Sequence, residues 1–306
     1  MSAQQVLFDA PGPRARARHR ILAVIGVLLL LAALAWVLER FNATGQLEAA
    51  KWTPFVEWST WRNYLIPGVI DVLRAALVAI VISMVLALGL AMARMSDMAP
   101  VRWAASVFVE FFRAVPVLIM MIFTFFFLAY NAGTPDSWNP FLAVVTGLVL
   151  YNSSVLCEVI RNGVYSLPAG QREAGLSIGL SPSQVRRSIQ VPQALTAMLP
   201  VIVSQIVVIT KDTALGYIIL YPELITQARR LASQEFNVVP AYLVAAVLFI
   251  LINYGLSKVA ERVEARQRRK AHTAGAIGSA DAIRAEARGG RAPDDAAGDG
   301  DDVEVR

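Results

Sequence analysis

The sequence is poor in the residues that hold metals, link chains or carry catalysis. It has one cysteine and two histidines in 306 residues. A single cysteine excludes an internal disulfide framework, and Cys157, inside an apolar run, reads as a small core residue. His19 and His272 lie near the two ends, in no metal-ligand spacing. No acid, base and nucleophile cluster together, so neither a catalytic residue nor a metal site is expected. The phosphate-cradling pattern G-x-x-x-x-G-K-[ST] is absent, so the chain is expected to hydrolyse no ATP itself. Charge is scarce as well. Only 17% of residues are Asp, Glu, Lys or Arg, where a soluble domain carries about a quarter.

Apolar residues take their place. They make up 56% of the chain, whose mean hydropathy is +0.53, and they are clustered. Crossing a bilayer takes roughly 20 mostly apolar residues as a helix. Six runs qualify: Ile21 to Leu38, Leu65 to Met92, Ala104 to Tyr130, Pro140 to Ile160, Gln193 to Thr210 and Val238 to Leu256. Period-2 alternation is lacking, which argues against a barrel. The expectation is an all-α membrane protein with six transmembrane helices. The first run follows Arg14, Arg16, Arg18 and Arg20 but closes on Trp36, Glu39 and Arg40 without a small-x-small cleavage site, so it reads as a retained anchor.

Basic residues set the orientation. Residues 1–20 are arginine-rich and expected in the cytoplasm, with 21–38 the first span and 39–64 an extracytoplasmic linker. Threading on, the transmembrane domain 65–258 places Arg94, Arg102, Arg172, Arg186 and Arg187 inside. Lys258, Arg262, Arg266, Arg268, Arg269 and Lys270 fall inside too, so both termini are cytoplasmic. Residues 131–139, which have no Lys or Arg, fall outside. Arg40, Lys51, Arg62, Arg229 and Arg230 oppose the trend but are outnumbered. The tail 259–306 is rich in Ala, Gly, Asp and Arg, with few bulky residues, and is expected to be largely disordered.

One cytoplasmic loop, 162–192, has too much local structure for a connector. Pro168 suits a first helical turn, and a short helix to Ile178 would stop at Gly179. Ser181-Pro182-Ser183-Gln184 then reads as a new start, with Ser181 the N-cap, Pro182 the first position and Gln184 completing a capping box. A second helix is expected to end before Pro192. Gly175 and Gly179, one turn apart, would clear a flat place for another surface. Glu173, in the first half of its helix, would sit near the positive end of the dipole.

These residues resemble a known signature. Glu173-Ala174-Gly175, three residues, Gly179, nine residues, Ile189, one residue, Val191-Pro192 is similar to the EAA loop of permease subunits of binding-protein-dependent ABC importers, with Gly175 and Val191 departing from the usual Ala and Leu. "EFFRAVPVLIM", "CEVIRNGVYSLPAGQREAG" and "VITKDTALGYII" resemble segments of the polar amino-acid branch, most of all glutamate-uptake permeases of actinobacteria. The resemblance covers about Leu65 to Leu256. It implies a type I importer core, to which this chain adds an N-terminal helix and the tail. It also implies two permease subunits around the pathway, as a homo- or heterodimer. ATPase subunits carrying ATP-Mg would dock on the hairpins, and an extracytoplasmic amino-acid-binding protein would deliver solute. Glu173, Ala174, Gly175, Gly179, Leu180, Ser181 and Arg186 would then form the ATPase-coupling surface. Besides the lipid bilayer, these are the partners expected; nucleic acid is not among them.

Polar residues inside spans cost about 2.5 kcal/mol or more unless paired or facing water. Tyr151, Ser154, Glu158 and Arg161 recur at helical spacing and are candidates to line the substrate pathway, Glu158 holding an ammonium group or pairing with Arg161. Lys211 and Asp212, ending the fifth span, are candidates for the pathway too; Lys211 could close over a solute carboxylate or simply snorkel at the helix end. Glu110 and Arg113 are spaced to pair with each other. Pro116 and Pro200 would open their helices. A channel or secondary transporter without an ATPase is the alternative, but a channel needs no capped hairpin and no internal repeat is visible.

Overall fold

The computed structural model describes residues 12–131, 133–259 and 261–262, and among them it contains helices and turns but no strand. The amino-terminal residues before these and the tail beyond Arg262, for which disorder was expected, lie outside the described residues. The helices used below are α1 (Pro13–Ala43), α2 (Ile66–Arg94), α3 (Ala99–Ala114), α4 (Val117–Asn131), α5 (Asn139–Tyr165), α6 (Ala169–Ser177), α7 (Pro182–Val185), α8 (Val191–Ala197), α9 (Leu199–Asp212), α10 (Leu224–Glu235) and α11 (Val238–Val259).

The apolar runs became helices, with four changes of boundary. Helix α1 takes in the arginines expected to precede it and Glu39 and Arg40 beyond it. Its central residues are exposed all round, as a helix surrounded by lipid requires. The second run is part of an unbroken 37-residue helix from Trp58 to Arg94, about 55 Å long against a hydrocarbon core of about 30 Å. The linker expected at 39–64 is thus helical at both ends. The third run is not one helix. Val115 is extended, at φ −83° and ψ 127°, because Pro116 excludes the helical region for the residue before it. Helices α3 and α4 are each too short to cross a bilayer alone. The fifth run also breaks, at Met198, and Pro200 falls in the first turn of α9, where a proline costs nothing. Beyond Asp212 the chain continues as a tight 3-10 stretch, Thr213–Ile219.

The chain folds as two compact units. Of the described residues, one unit comprises those in 12–80, 116–149 and 210–251; the other comprises those in 81–115, 150–209 and 252–262. In the first, Leu65, Val72, Leu224, Ala228 and Ala232 form a core that α10 shares with α2. A Cβ at Gly68 would lie 2.8 Å from Leu224 Cα, so only glycine allows this approach. Glu223 caps α10, its carboxylate accepting from the Ile225 and Thr226 N–H groups, both at 2.8 Å. Glu223 is fully buried, and burial pushes its pKa up to about 7 despite those hydrogen bonds. Nearby, Arg74 stacks on Phe141 and Trp138, and Tyr221 donates to the Asp71 carbonyl at 2.8 Å.

The second unit packs α2, α3, α5 and α8 around Ala87, Ala91, Val109, Cys157, Ile160 and Ala194. Small residues let the backbones approach closely. Cys157 is a buried core residue, as its setting indicated.

Candidate functional site

The loop 162–192 folds as a closed helical hairpin within the second unit. Helix α6 runs from Ala169, with Pro168 as its N-cap rather than its first residue. It ends in a Schellman motif: Leu180 N–H donates to the Gly175 carbonyl at 3.2 Å and Gly179 N–H to that of Leu176 at 3.0 Å. Gly179 has φ +85°, the left-handed conformation that favours glycine. Ser181 and Gln184 then close the expected capping box around Pro182. The second helix does not end before Pro192. A π-turn, Arg186–Gln190, leads straight into α8. This wider turn sits immediately before Pro192, whose ring and missing N–H an ordinary turn would not accommodate.

The hairpin residues divide into a tip and a base. Glu173, Ala174 and Ser181 are exposed, Leu180 half-buried. Ile178 is 75% exposed, and a Cβ on Gly179 would meet nothing within 4 Å. Gly175 does not clear an outer face. It is buried, and a Cβ there would lie 2.8 Å from Val185 Cγ2 and 3.0 Å from Ile189 Cδ1, so its lack of a side chain lets the two hairpin helices close on each other. Glu173 stands beyond the first turn of α6, too far along to gain from the dipole. Arg186 faces inward and grips Asp97, in the α2–α3 connection, with its two Nη atoms at 3.2 and 2.6 Å. That hydrogen-bonded guanidinium holds the Asp97 carboxyl below its usual pKa. Gln193 donates to Gln171 at 3.1 Å, a second tie across the base.

Four of the expected pathway residues lie on α5 in the same unit. Glu158 is the centre of an ion cluster. It pairs with Arg94, with Arg113 at 3.7 Å and with Arg161 at 3.5 Å. Arg94, buried, also reaches Glu110 at 3.4 Å and Ser106 Oγ at 3.2 Å. Glu110 and Arg113 therefore do not pair with each other; each finds its partner on another helix. Three guanidiniums lie within 4 Å of the Glu158 carboxylate. Ser154 is fully buried and bonded to the Leu150 carbonyl at 3.0 Å, while Tyr151 is half-buried. Lys211 and Asp212, in the first unit, are exposed and half-buried.

Sequence reasoning missed Asn152. It is fully buried, and Gln205 Nε2 donates to its Oδ1 at 2.6 Å, joining α5 to α9. Two amides in apolar helices were the available signal. Arg94 was read only as a charge that orients the chain.

Residues 85–269 match the family described as binding-protein-dependent transport system inner membrane component. The chain belongs to this family. The hairpin and the ion cluster both lie within the matching stretch, and α1 lies outside it. Among relatives of this family member, the glutamate transport system permease protein of Corynebacterium glutamicum is 42% identical over 228 residues, 74% of this chain and 83% of that protein. A probable glutamine ABC transporter permease protein of Bacillus subtilis is 36% identical over 207 residues, covering 67% and 94%. An amino acid ABC transporter crystal structure superposes with TM-score 0.60 at 26% identity, over 66% of this chain and 92% of that one. A methionine ABC transporter in an inward-facing conformation shares the fold, with TM-score 0.57 at 18% identity, over 66% and 95%.

Proposed function

We propose that the chain is the permease subunit of an ATP-driven importer of polar amino acids, glutamate first among them, and that its hairpin is the contact through which an ATPase drives it. The observation that carries the coupling role is the hairpin itself. Its base is tied by Arg186 to Asp97 and closed at Gly175, while Ile178 and Gly179 stand open at the tip. Glu173, Ala174, Leu180 and Ser181 flank that tip; Gly175 and Arg186 act by keeping it rigid. Glutamate as solute rests on the likeness to the glutamate permease. Energy comes from ATP-Mg on partner ATPase subunits, since no phosphate-binding loop occurs in this sequence. A second permease subunit completes the pathway, and an extracytoplasmic binding protein supplies the solute.

In this reading both termini and the hairpin face the cytoplasm of a bacterial plasma membrane. Tyr151, Ser154, Lys211 and Asp212 belong to the pathway. Glu158 and Arg161 serve it by fixing α5 to α2 and α3. The test is purification of the full chain from its native membrane with the subunits that accompany it, reconstitution with a binding protein, and uptake of a panel of amino acids with and without ATP. ATP-dependent glutamate uptake with an ATPase present in the preparation is expected. ATP-independent uptake would favour a secondary transporter and overturn the proposal. ATP-dependent uptake of another amino acid would overturn glutamate alone.

A further inference from the structure

The second unit contains a cavity of about 470 Å³ between the α2–α3 connection, the end of α5 and the inner side of the hairpin. Four arginines line it, Arg94, Arg102, Arg172 and Arg186, against a single carboxylate, Asp97. Arg94 is engaged by Glu158 and Glu110. Arg186 gives both Nη atoms to Asp97, and its Nε is buried without an acceptor among the described residues. Arg102 donates one N–H to the Ser96 carbonyl at 2.9 Å. Arg172 forms no side-chain hydrogen bond or ion pair among the described residues; its charge, like that of Arg102, acts on Asp97 only at longer range. The cavity therefore carries more cationic donors than its own acceptors use.

Its depth is informative. Arg94 is the last residue of one apolar span and Tyr165 the last of another. The cavity thus lies at or beyond the hydrocarbon boundary, on the side where two long apolar helices end. Trp103, 70% exposed on the adjoining turn of α3, is a side chain of the kind that settles at this level.

We propose that this cavity seats the phosphate of an anionic phospholipid. The leaflet, cytoplasmic, rests on the orientation proposed above; the site itself does not. Guanidinium groups grip phosphate oxygens in a planar fork, and basic pockets among transmembrane helices at the cytoplasmic side take anionic headgroups by this means. A free phosphate ion has the same chemistry. The lipid is favoured by the cavity's place at the ends of two apolar helices and by its apolar lining, which includes Met95, Val164 and Leu167. A headgroup held by Arg102 and Arg172 would bridge the α2–α3 connection to the hairpin, beside the Arg186–Asp97 tie.

The experiment uses the full chain, purified with the subunits that accompany it, stripped of lipid in detergent. Native mass spectrometry then follows the add-back of phosphatidylglycerol, phosphatidylcholine or inorganic phosphate. Phosphatidylglycerol should be retained at least tenfold over phosphatidylcholine, and 10 mM inorganic phosphate should not displace it. Arg102→Gln with Arg172→Gln should bring the ratio close to one, while Arg229→Gln with Arg230→Gln, at exposed positions on α10, should leave it intact. Should the double variant aggregate, Arg172→Lys, which keeps the charge and loses the fork, should give intermediate retention. Equal retention of the two lipids, or an unchanged preference in the Arg102/Arg172 variant or in Arg172→Lys, overturns the proposal. Displacement of the lipid by phosphate assigns the cavity to a free anion and overturns the lipid.

Discussion

Substitutions at Gly179 separate the shape of the hairpin corner from the surface it offers. The residue has φ +85°, so any side chain there pays about 1–2 kcal/mol of backbone strain. Nothing lies within 4 Å of a Cβ built on it, so inside the subunit strain is the whole penalty. Opposing it are the two Schellman hydrogen bonds, about 1 kcal/mol each, and the Ser181–Gln184 capping box, about another 1 kcal/mol. Gly179→Ala should therefore leave the corner mostly formed, with uptake reduced no more than a few-fold. Gly179→Arg incurs the same strain but adds a long cation beside exposed Ile178, where an ATPase would have to approach. It should cut both uptake and ATPase co-purification at least tenfold, with normal amounts of subunit in the membrane. The assay measures these three quantities in the same cells. Full uptake with a full complement of ATPase in Gly179→Arg would show that the hairpin is not the coupling element. Equal damage from Ala and Arg would show that the corner's backbone, not its surface, matters.

Other perturbations read other parts of the fold. Ser181→Ala should lower hairpin protection in amide exchange by about 1 kcal/mol, with unchanged protection in α5. Glu158→Gln leaves buried Arg94 with Glu110 alone and should cost about 3 kcal/mol or more, seen as a lower unfolding temperature; Arg94→Gln in the same protein should recover part of that loss. Glu223 titrates near 7 in the fold and near 4.5 when unfolded, so folding favours its protonated form. Its contribution is fully present below 4.5 and is lost as pH rises through 7; Glu223→Gln should flatten the stability profile between pH 5 and 8. A cysteine at Ser137 should react with an impermeant reagent from outside the cell and one at Ser183 should not; the reverse pattern would invert the topology.

Features set by neighbours in sequence were legible in advance. The capping box at Ser181 and the left-handed Gly179 need only residues three to five apart, and the apolar runs need only composition. Features set by distant partners were not. Glu110 and Arg113 have good spacing for a local pair, yet the more buried Arg94 and Glu158 offer each a partner on another helix. Gly175 looked like an outward glycine because its neighbour Gly179 is one. Only the packing of Val185 and Ile189 against it shows that it faces in. Pro116 and Pro192 have the same missing N–H but different outcomes. The chain breaks before the first and widens into a π-turn before the second.

That second outcome bears on how a push at the tip would travel. From Pro182 the backbone stays helical through the π-turn and α8 as far as Ala197. The first interruption is Met198, at φ −89° and ψ 5°. It lies against α5, where a Cβ on Gly163 would come within 2.6 Å of Met198 Cγ. In the proposed coupling, this helical segment, held at Arg186 and starting just past the open corner at Ile178 and Gly179, would deliver a displacement to a break packed against the helix that carries Tyr151, Ser154 and Glu158. Gly163→Val should jam that break while leaving the hairpin corner untouched. The expected result is an ATPase that still co-purifies in full but no longer drives uptake. Loss of co-purification in this variant would mean that the break and the tip do not act as separate parts.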